Sequence, residues 1–530
     1  MSKPPERLMM IRPHPATSVL VTAISVLVLA ACGSSPSESP TSVTTGDPAT
    51  GGRLNALQIG EPRTLDPAGL SNTWVHQPLL GNALYGTLMI NDPDTNEIEY
   101  TMATGFDSTD GGTTYELTLR PGLMFTDDTP LDAAAVQFNW ERLRDPALGS
   151  TAIRQVSQVE TTEVVDETTL KVVLHEPNPS FPQGMLATSM NWIASPSALG
   201  NGRAAFDDAP VGAGPFELTR WMRQGAIELE RNPDYWDAPK PYLDAITIRS
   251  VTDTTQRVNA ITTGDADLST ETNPSSVGRA QDAGAQVATV PAGGGQYLGM
   301  NFRRAPFDDE RARRAVALAV DRDMINSIVF NGDGEVPQTL FQENSPFYSD
   351  IALPQQDRTA AQTLFDELAA DGKPVEFTFT TYTGLDNQAT AEALQAQLNT
   401  YDNVEVDIEV VDFATGAARA GAHDFDMMVS SAITQDPDYA LWTAFHSEST
   451  GNFMGVSDPR LDEALDAGRT AETTDERKQA YDVVQTRIAE LDPGVWYVRS
   501  SPSVMMGEKI HGLRLYTLGS PLPEELWIEN

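Results

Sequence analysis

Near residue 300 this chain changes the period of its apolar residues, so one kind of layer cannot hold both halves. Before that point the period is two. Tyr115, Leu117 and Leu119 alternate with polar residues behind the turn-forming Asp110-Gly111-Gly112, and Leu170, Val172 and Leu174 repeat the pattern. Arg53 to Leu65 predicts a short strand that the turn at Asp66-Pro67 ends. Between these strands Val136, Trp140 and Leu143 fall at helical spacing behind Asp132. After residue 300 helices alternate with strands. Asp309 to Val320 is amphipathic, with Ala312, Val316 and Ala319 on one side and Glu310, Arg311, Arg313 and Arg314 mostly on the other. Phe377 and Phe379 mark a strand, Ala389 to Leu398 a helix, and Val404, Val406, Ile408 and Val410 a second strand. That βαβ order predicts a sheet covered by helices. Helices at Asp458 to Ala467, with Pro459 in the first turn, and at Asp475 to Leu491 precede the C-terminal strands. The expectation is an α/β protein of more than one body, without sequence repeats.

Packing alone must hold those bodies, because Cys32 is the single cysteine and no disulfide can form within the chain. The length of 530 residues allows about three domain-sized units. Cys32 closes an apolar run from Ala16 to Ala31 that follows Lys3, Arg7 and Arg12. The run is shorter than the roughly 20 residues that span a bilayer, so 1–31 reads as a secretory signal peptide. Leu29-Ala30-Ala31-Cys32 resembles a bacterial lipobox, which implies cleavage before Cys32 and transfer of a diacylglyceryl group to its thiol. The product would be anchored by lipid on the extracytoplasmic face of the cell membrane. Gly33 to Gly52 is almost wholly Ser, Pro, Thr and Gly, so 32–52 is expected to be a flexible tether.

The formal charge of −40 repels phosphate backbones and sets nucleic acid aside as a partner. A secreted hydrolase is the rival class, and its usual signatures are absent: no Gly-x-Ser-x-Gly, no His-Glu-x-x-His, no phosphate loop and no dinucleotide glycine motif. Asp92, Asp94 and Asn96 imitate the start of a calcium loop. Glu97 stands where glycine is required and Ala103 where a bidentate acid is required, so the segment reads as a turn. His76, His175, His423, His446 and His511 are scattered, and His175-Glu176 reads as a strand end. No catalytic residue, metal site or cofactor is expected.

Three co-linear blocks remain. The first runs from Tyr115 to Leu131 through Arg120-Pro121-Gly122. The second joins Pro210 to Leu218, with Gly212 and Gly214 beside Pro215, to Asn232-Pro233-Asp234-Tyr235-Trp236 and to Lys240 to Asp244. The third spans Asn301-Phe302, Pro306 to Asp309, Arg313 to Ala315 and Asp321-Arg322. Physically these are scaffold: glycines for close backbone approach and aromatics capping a turn. Together they resemble the family 5 extracellular solute-binding proteins of ABC importers.

That resemblance implies a two-lobe periplasmic-binding-protein-like fold of the large type II cluster, with a hinge and an extra strand-rich subdomain. Lobe I would comprise 53–89, 191–292 and 496–530, the subdomain 90–190, and lobe II 293–495. The implied function is capture of a peptide or peptide-like solute between the lobes and delivery to a permease driven by an ATPase, by a monomer that performs no chemistry itself. Sugars, opines, modified peptides and metal chelates are alternative cargoes, and sensing an alternative role. The implied pocket is formed by Ser71, Asn72 and Trp74, by Gln296 and Tyr297, and by Ser430, Ser431, Ile433 and Asp436 ahead of Pro437. Tyr382 and Trp442 complete its lining. Peptide-binding relatives carry an aspartate four positions before that proline to grip an α-ammonium, and Ile433 replaces it here. A charge-assisted bond of that kind contributes about 1.5–3 kcal/mol. Asp436 or Asp438 would have to substitute for free-amine peptides to bind.

Overall fold

The computed structural model describes residues 42–43, 46–72 and 77–529. Cys32, the signal segment 1–31 and Trp74 lie outside them. Two large sheets organise the rest. The first has seven strands in the order Gln286–Thr289, Ser503–Met506, Leu268–Glu271, Arg53–Gln58, Ala245–Ser250, Ala226–Arg231 and Phe216–Trp221. It is mixed: Arg53–Gln58 pairs in parallel with both of its neighbours, and the remaining pairs are antiparallel. One apolar core, including Leu54, Ile246, Ile248 and Val504, packs on one side, and a smaller one with Val258, Ile261 and Met505 on the other.

The second sheet has five strands in the order Val404–Val411, Val375–Tyr382, Met427–Thr434, Gly293–Met300 and Gly494–Val498. Val375–Tyr382 and Val404–Val411 are parallel across the helix Leu385–Leu398, the βαβ unit expected from the alternating periods. Its two faces carry separate cores, one around Phe307, Val316 and Phe379 and the other around Tyr297, Phe445 and Trp496. Among the described residues no helix is long and apolar enough to cross a membrane.

A third, four-stranded antiparallel sheet, Ala103–Ser108, Thr114–Leu119, Thr169–Leu174 and Val159–Val164, forms the strand-rich subdomain. The helix Ala133–Arg142 covers it, and Asp132 caps that helix by accepting from the Ala135 N–H at 2.8 Å. Trp140 is buried and donates to the Met190 carbonyl at 2.8 Å. The core of this subdomain also takes in Leu88, Met89, Ile193 and Ala213, so it is continuous with lobe I.

Aspartate caps set the helix starts in lobe II. Asp309 begins Glu310–Ala319, Asp458 begins Pro459–Thr470, and Thr473 with Glu476 forms a capping box on Thr474–Leu491. Gly212 and Gly214 run flush along the helix Pro78–Tyr85. A Cβ on either would stand 2.0 Å from the Leu84 carbonyl oxygen or 2.3 Å from that of Ala83.

Two boundaries differ from expectation. Gly494–Val498 belongs to the five-stranded sheet, paired with Gly293–Met300, so the return to lobe I falls after Val498 and not at residue 496. Within 32–52, expected to be a tether, residues 32–41 and 44–45 lie outside the described residues and several of the others are paired. Ser42–Val43 pairs with Leu513 and Arg514, the Gly51 N–H donates to the Tyr242 carbonyl at 2.8 Å, and the Gly52 N–H donates to Asp244 Oδ2 at 3.0 Å. Backbone pairing to lobe I overrides the polar composition there.

Candidate functional site

The two sheets meet along a seam with a crossing side and an open side. On the crossing side the outgoing chain passes Val290, whose N–H donates to the Pro502 carbonyl of the returning chain at 2.9 Å. Gly294 and Gly295 then adopt φ of +67° and +138°. A Cβ would lie 1.9 Å from the Ala432 oxygen at the first and 2.3 Å from the Val498 oxygen at the second. Only glycine lets the strand Gly293–Met300 lie this tightly between its neighbours. Arg499 fills the space beside it. It is 3% exposed, and its guanidinium donates to Glu335 Oε1 at 2.5 Å and to the carbonyls of Thr339, Leu340 and Gly294 at 2.9, 3.2 and 3.3 Å.

On the open side a cavity of about 70 Å³ separates the lobes. Asn91, Gln183, Leu186 and Thr517 line one wall, and Ile433, Gln435, Asp436 and Tyr439 the other. Side-chain amides bridge it: Asn91 Nδ2 donates to Gln435 Oε1 at 3.1 Å, and Gln435 Nε2 donates to the Pro93 carbonyl at 3.3 Å. Two further bridges lie along the seam, Asn178 Nδ2 to Asp438 Oδ2 at 3.1 Å and Asn273 Nδ2 to Asp386 Oδ2 at 2.5 Å. A smaller pocket of about 50 Å³ continues past Gln435 to Thr434, Phe341 and Pro291. The hydroxyls of Thr434 and Thr517 are buried in these walls without a hydrogen-bond partner among the described residues. Leaving a buried hydroxyl unpaired costs about 1–3 kcal/mol, so both are places where a bound molecule gains most.

The structure distributes the residues singled out by the sequence. Ile433 and Asp436 line the cavity. Asn72 is fully buried, donating to the Leu186 carbonyl at 2.8 Å and the Tyr516 hydroxyl at 2.7 Å and accepting from Ser520 at 2.8 Å, so it braces the wall from behind. Ser71, half-buried, precedes it. Tyr297 is 1% exposed in a cluster with Trp496 and Phe445, at ring distances of 4.6 and 5.8 Å. Burial pushes its phenol up to about 12, opposed by a hydrogen bond with Ser430. It is a core residue and not cleft surface, because the strand alternates its side chains and Tyr297 falls on the packed face. Gln296 accepts from the Tyr497 hydroxyl at 2.6 Å and pairs in register with Ser431, which is exposed. Tyr382 packs on Gly416, where a Cβ would meet its ring at 2.3 Å. Trp442 donates to Asp466 at 3.0 Å, stacks on His446 at 4.5 Å and carries the Arg469 guanidinium at 4.3 Å, so its polar and aromatic faces are already occupied.

Neither acidic substitute offers a free carboxylate. Asp436 Oδ2 and Oδ1 accept from Arg477 at 2.8 and 2.9 Å, and Oδ1 also caps the helix Pro437–Phe445 through the Asp438 N–H at 3.0 Å. Asp438 accepts from Arg469 at 2.9 Å and from Asn178, and burial pushes its carboxyl up despite Arg469. Asn91, Gln183 and Thr517 escaped sequence reasoning and reach the cleft only through the tertiary fold; Gln435 falls inside the segment from Ser430 to Asp436 that the resemblance implied.

A model of the bacterial extracellular solute-binding proteins, family 5 Middle, matches residues 97–452. Glutathione-binding protein GsiB of Salmonella typhimurium is 26% identical over 447 residues, 82% of this chain and 86% of that protein. Its counterpart in Escherichia coli (strain K12) is 27% identical over 443 residues, 79% and 84% of the two chains. Among solved structures, the binding protein AgaA from A. tumefacien R10 in complex with agropinic acid superposes with a TM-score of 0.76 at 26% identity, covering 90% of this chain and 99% of that one. The oligopeptide-binding protein AppA from Bacillus subtilis, in complex with a nonapeptide, gives 0.76 at 23% identity over 91% and 100%. The two solved structures share the type II binding-protein architecture of this chain.

Proposed function

The chain belongs to the bacterial extracellular solute-binding proteins of family 5, the binding components of ABC importers, and we propose from that premise that it captures a peptide or peptide-like solute between its lobes and hands it to a membrane permease. It is a binding protein and not an enzyme. The observation that carries the reading is the asymmetric seam: buried backbone crossings on one side, and on the other a cavity bridged by side-chain amides with unpartnered hydroxyls in its walls. A solute that replaces those bridges touches both walls at once, binds the closed form better than the open one, and shifts the population toward closure. The permease then reads the closed shape. We assign the contacts to Ile433, Gln435, Asn91, Gln183 and Thr517, with Gln296, Ser430 and Ser431 nearer the crossing. Anchoring would be through a diacylglyceryl thioether on Cys32, supported by its apolar run and lipobox, and the body would act as a monomer.

Denaturing protein purified from its native membrane and identifying the released small molecule by mass spectrometry tests capture directly. Adding that molecule back at about 100 times its dissociation constant is expected to raise stability by roughly 2.7 kcal/mol. Cys32→Ser is expected to release the protein into the soluble fraction. A second reading, an opine-type acid as cargo, is favoured by the likeness to AgaA at 26% identity over 90% of the chain, and the same mass spectrum decides between them.

A further inference from the structure

The chain just after the proposed anchor is bound to the strand that ends in the cleft wall. Ser42–Val43 pairs antiparallel with the strand Leu513–Tyr516, Ser42 opposite Arg514 and Val43 opposite Leu513. Thr517, which lines the cavity between the lobes, directly follows that strand, so Ser42 lies about 10 Å along it from the cleft. A hairpin of Met89–Asn91 and Ile98–Tyr100 ties the same strand to the rim. Its Glu99 forms an ion pair with Arg514, and the Asn91 side chain accepts from the Thr517 N–H at 2.7 Å. The turn of the hairpin, 92–96, reaches lobe II, where the Pro93 carbonyl accepts from Gln435. That turn also adjoins the N-terminal segment: Asp92, Pro93 and Asp94 share with Pro48 and Arg514 the lining of a cavity of about 340 Å³.

A lipid on Cys32 holds this edge near the bilayer. Ten peptide bonds join Cys32 to Ser42, and a chain extends by at most about 3.6 Å per residue, so Ser42 stays within roughly 36 Å of the thioether. A body of this length is roughly 60 Å across. The reach is shorter than the body, so the face that carries Ser42 cannot swing to the side away from the membrane. Charge supplies no such hold. The hairpin carries Asp92, Asp94, Glu97 and Glu99, and an acidic edge is repelled by anionic headgroups.

We infer that the pairing of Ser42–Val43 with Leu513 and Arg514 orients the anchored protein, making the lobe I edge of the cleft, the turn 92–96 with Thr517, its membrane-proximal surface. The inference rests on the lipid-anchor reading and deepens it: one strand both receives the anchored segment and ends in the cleft wall. The far end of lobe II is then outermost. Val375–Tyr382 runs parallel to Met427–Thr434, whose Thr434 lies at the seam, so Val375 and its neighbour Val404 stand at the opposite end of the sheet, about 23 Å away.

The test uses the full-length lipidated protein, reconstituted in vesicles of phosphatidylethanolamine and phosphatidylglycerol that carry a trace of acceptor-labelled lipid. With the Cys32 thiol taken up as a thioether, an introduced cysteine is the single reactive thiol. Glu97→Cys places a donor dye beside the turn and Asp402→Cys places it at the far end of lobe II; both positions are exposed. Each labelled protein is checked by flotation and by thermal melting. Energy transfer to the membrane is expected to be about twofold or more greater from 97 than from 402. Inserting about twenty Gly and Ser residues after Ser39 extends the reach past the width of the body, and the two values are then expected to converge. Equal transfer from the two positions at the original length, or more from 402, overturns the inference and leaves anchoring standing. A difference that survives the insertion also overturns it, because the tether is then not what orients the body. Failure of the protein to float with the vesicles overturns both readings.

Discussion

The two sides of the seam hold the lobes together by different means. On the crossing side the chain itself passes between the lobes, and buried contacts fix the crossing segments: Val290 to Pro502 between them, two glycines with no room for a Cβ against lobe II backbone, and an arginine bound to four lobe II carbonyls. On the open side they are a few side-chain amides at the rim of a cavity, such as Asn91 to Gln435 and Asn178 to Asp438. Exchanging those amide bonds for water costs little, because water offers the same partners. The difference teaches where each property resides: stability in the crossing, reversibility in the cleft.

The strongest way to break this contrast is Arg499→Met. It leaves Glu335 and four carbonyls without their donor, and a loss of about 3–5 kcal/mol is expected from a urea midpoint. Gly294→Ala follows at about 2–4 kcal/mol, because its positive φ and the Ala432 oxygen both exclude a Cβ. An intermediate effect, remote from both sides, comes from pH. Burial pushes the Glu524 carboxyl up from an ordinary 4.5 to about 7, with Glu525 and Asp237 adding and Lys240 opposing. The folded state keeps that proton where the unfolded chain has lost it, so this contribution to stability falls as pH rises from 4.5 to about 7 and is flat above. Glu524→Gln is expected to remove that slope and to stabilise by about 1–3 kcal/mol at pH 8, read from melting curves across pH. Smallest of all is Gln435→Ala. Global stability is expected to change by less than about 1 kcal/mol, while the unliganded radius of gyration from small-angle scattering rises as the bridge to Asn91 is lost. A large loss of stability from Gln435→Ala, or none from Arg499→Met, would break the contrast.

Much of the fold was legible in the sequence because the relevant signals are local. Asp132, Asp309 and Asp458 announce their helices, and the spacing of Val404 to Val410 announces its strand. The helix Leu385–Leu398 begins four residues before its expected start, because Gly384 and Leu385 carry no cap signature. The helix Pro437–Phe445 carries a local signal of the same kind, Asp436 as its cap and Pro437 in its first turn. The site was less legible. Ile433 and Asp436 reach the cavity, but Asp436 is neutralised by Arg477, 41 positions away, and nothing local marks that pairing. Tyr297 and Trp442 look like cleft aromatics in one dimension and are packed in three.

The seven-stranded sheet places Ser503–Met506 between Leu268–Glu271 and Gln286–Thr289, strands made more than two hundred residues earlier. As the chain emerges during export, its first half therefore waits with an unfilled gap, while residues 293–498 contain every strand of the other sheet and are able to settle first. Nascent lobe I edges remain open to wrong partners until the last thirty or so residues arrive, so holdases and truncation near the C-terminus are expected to bear on it far more than on its neighbour.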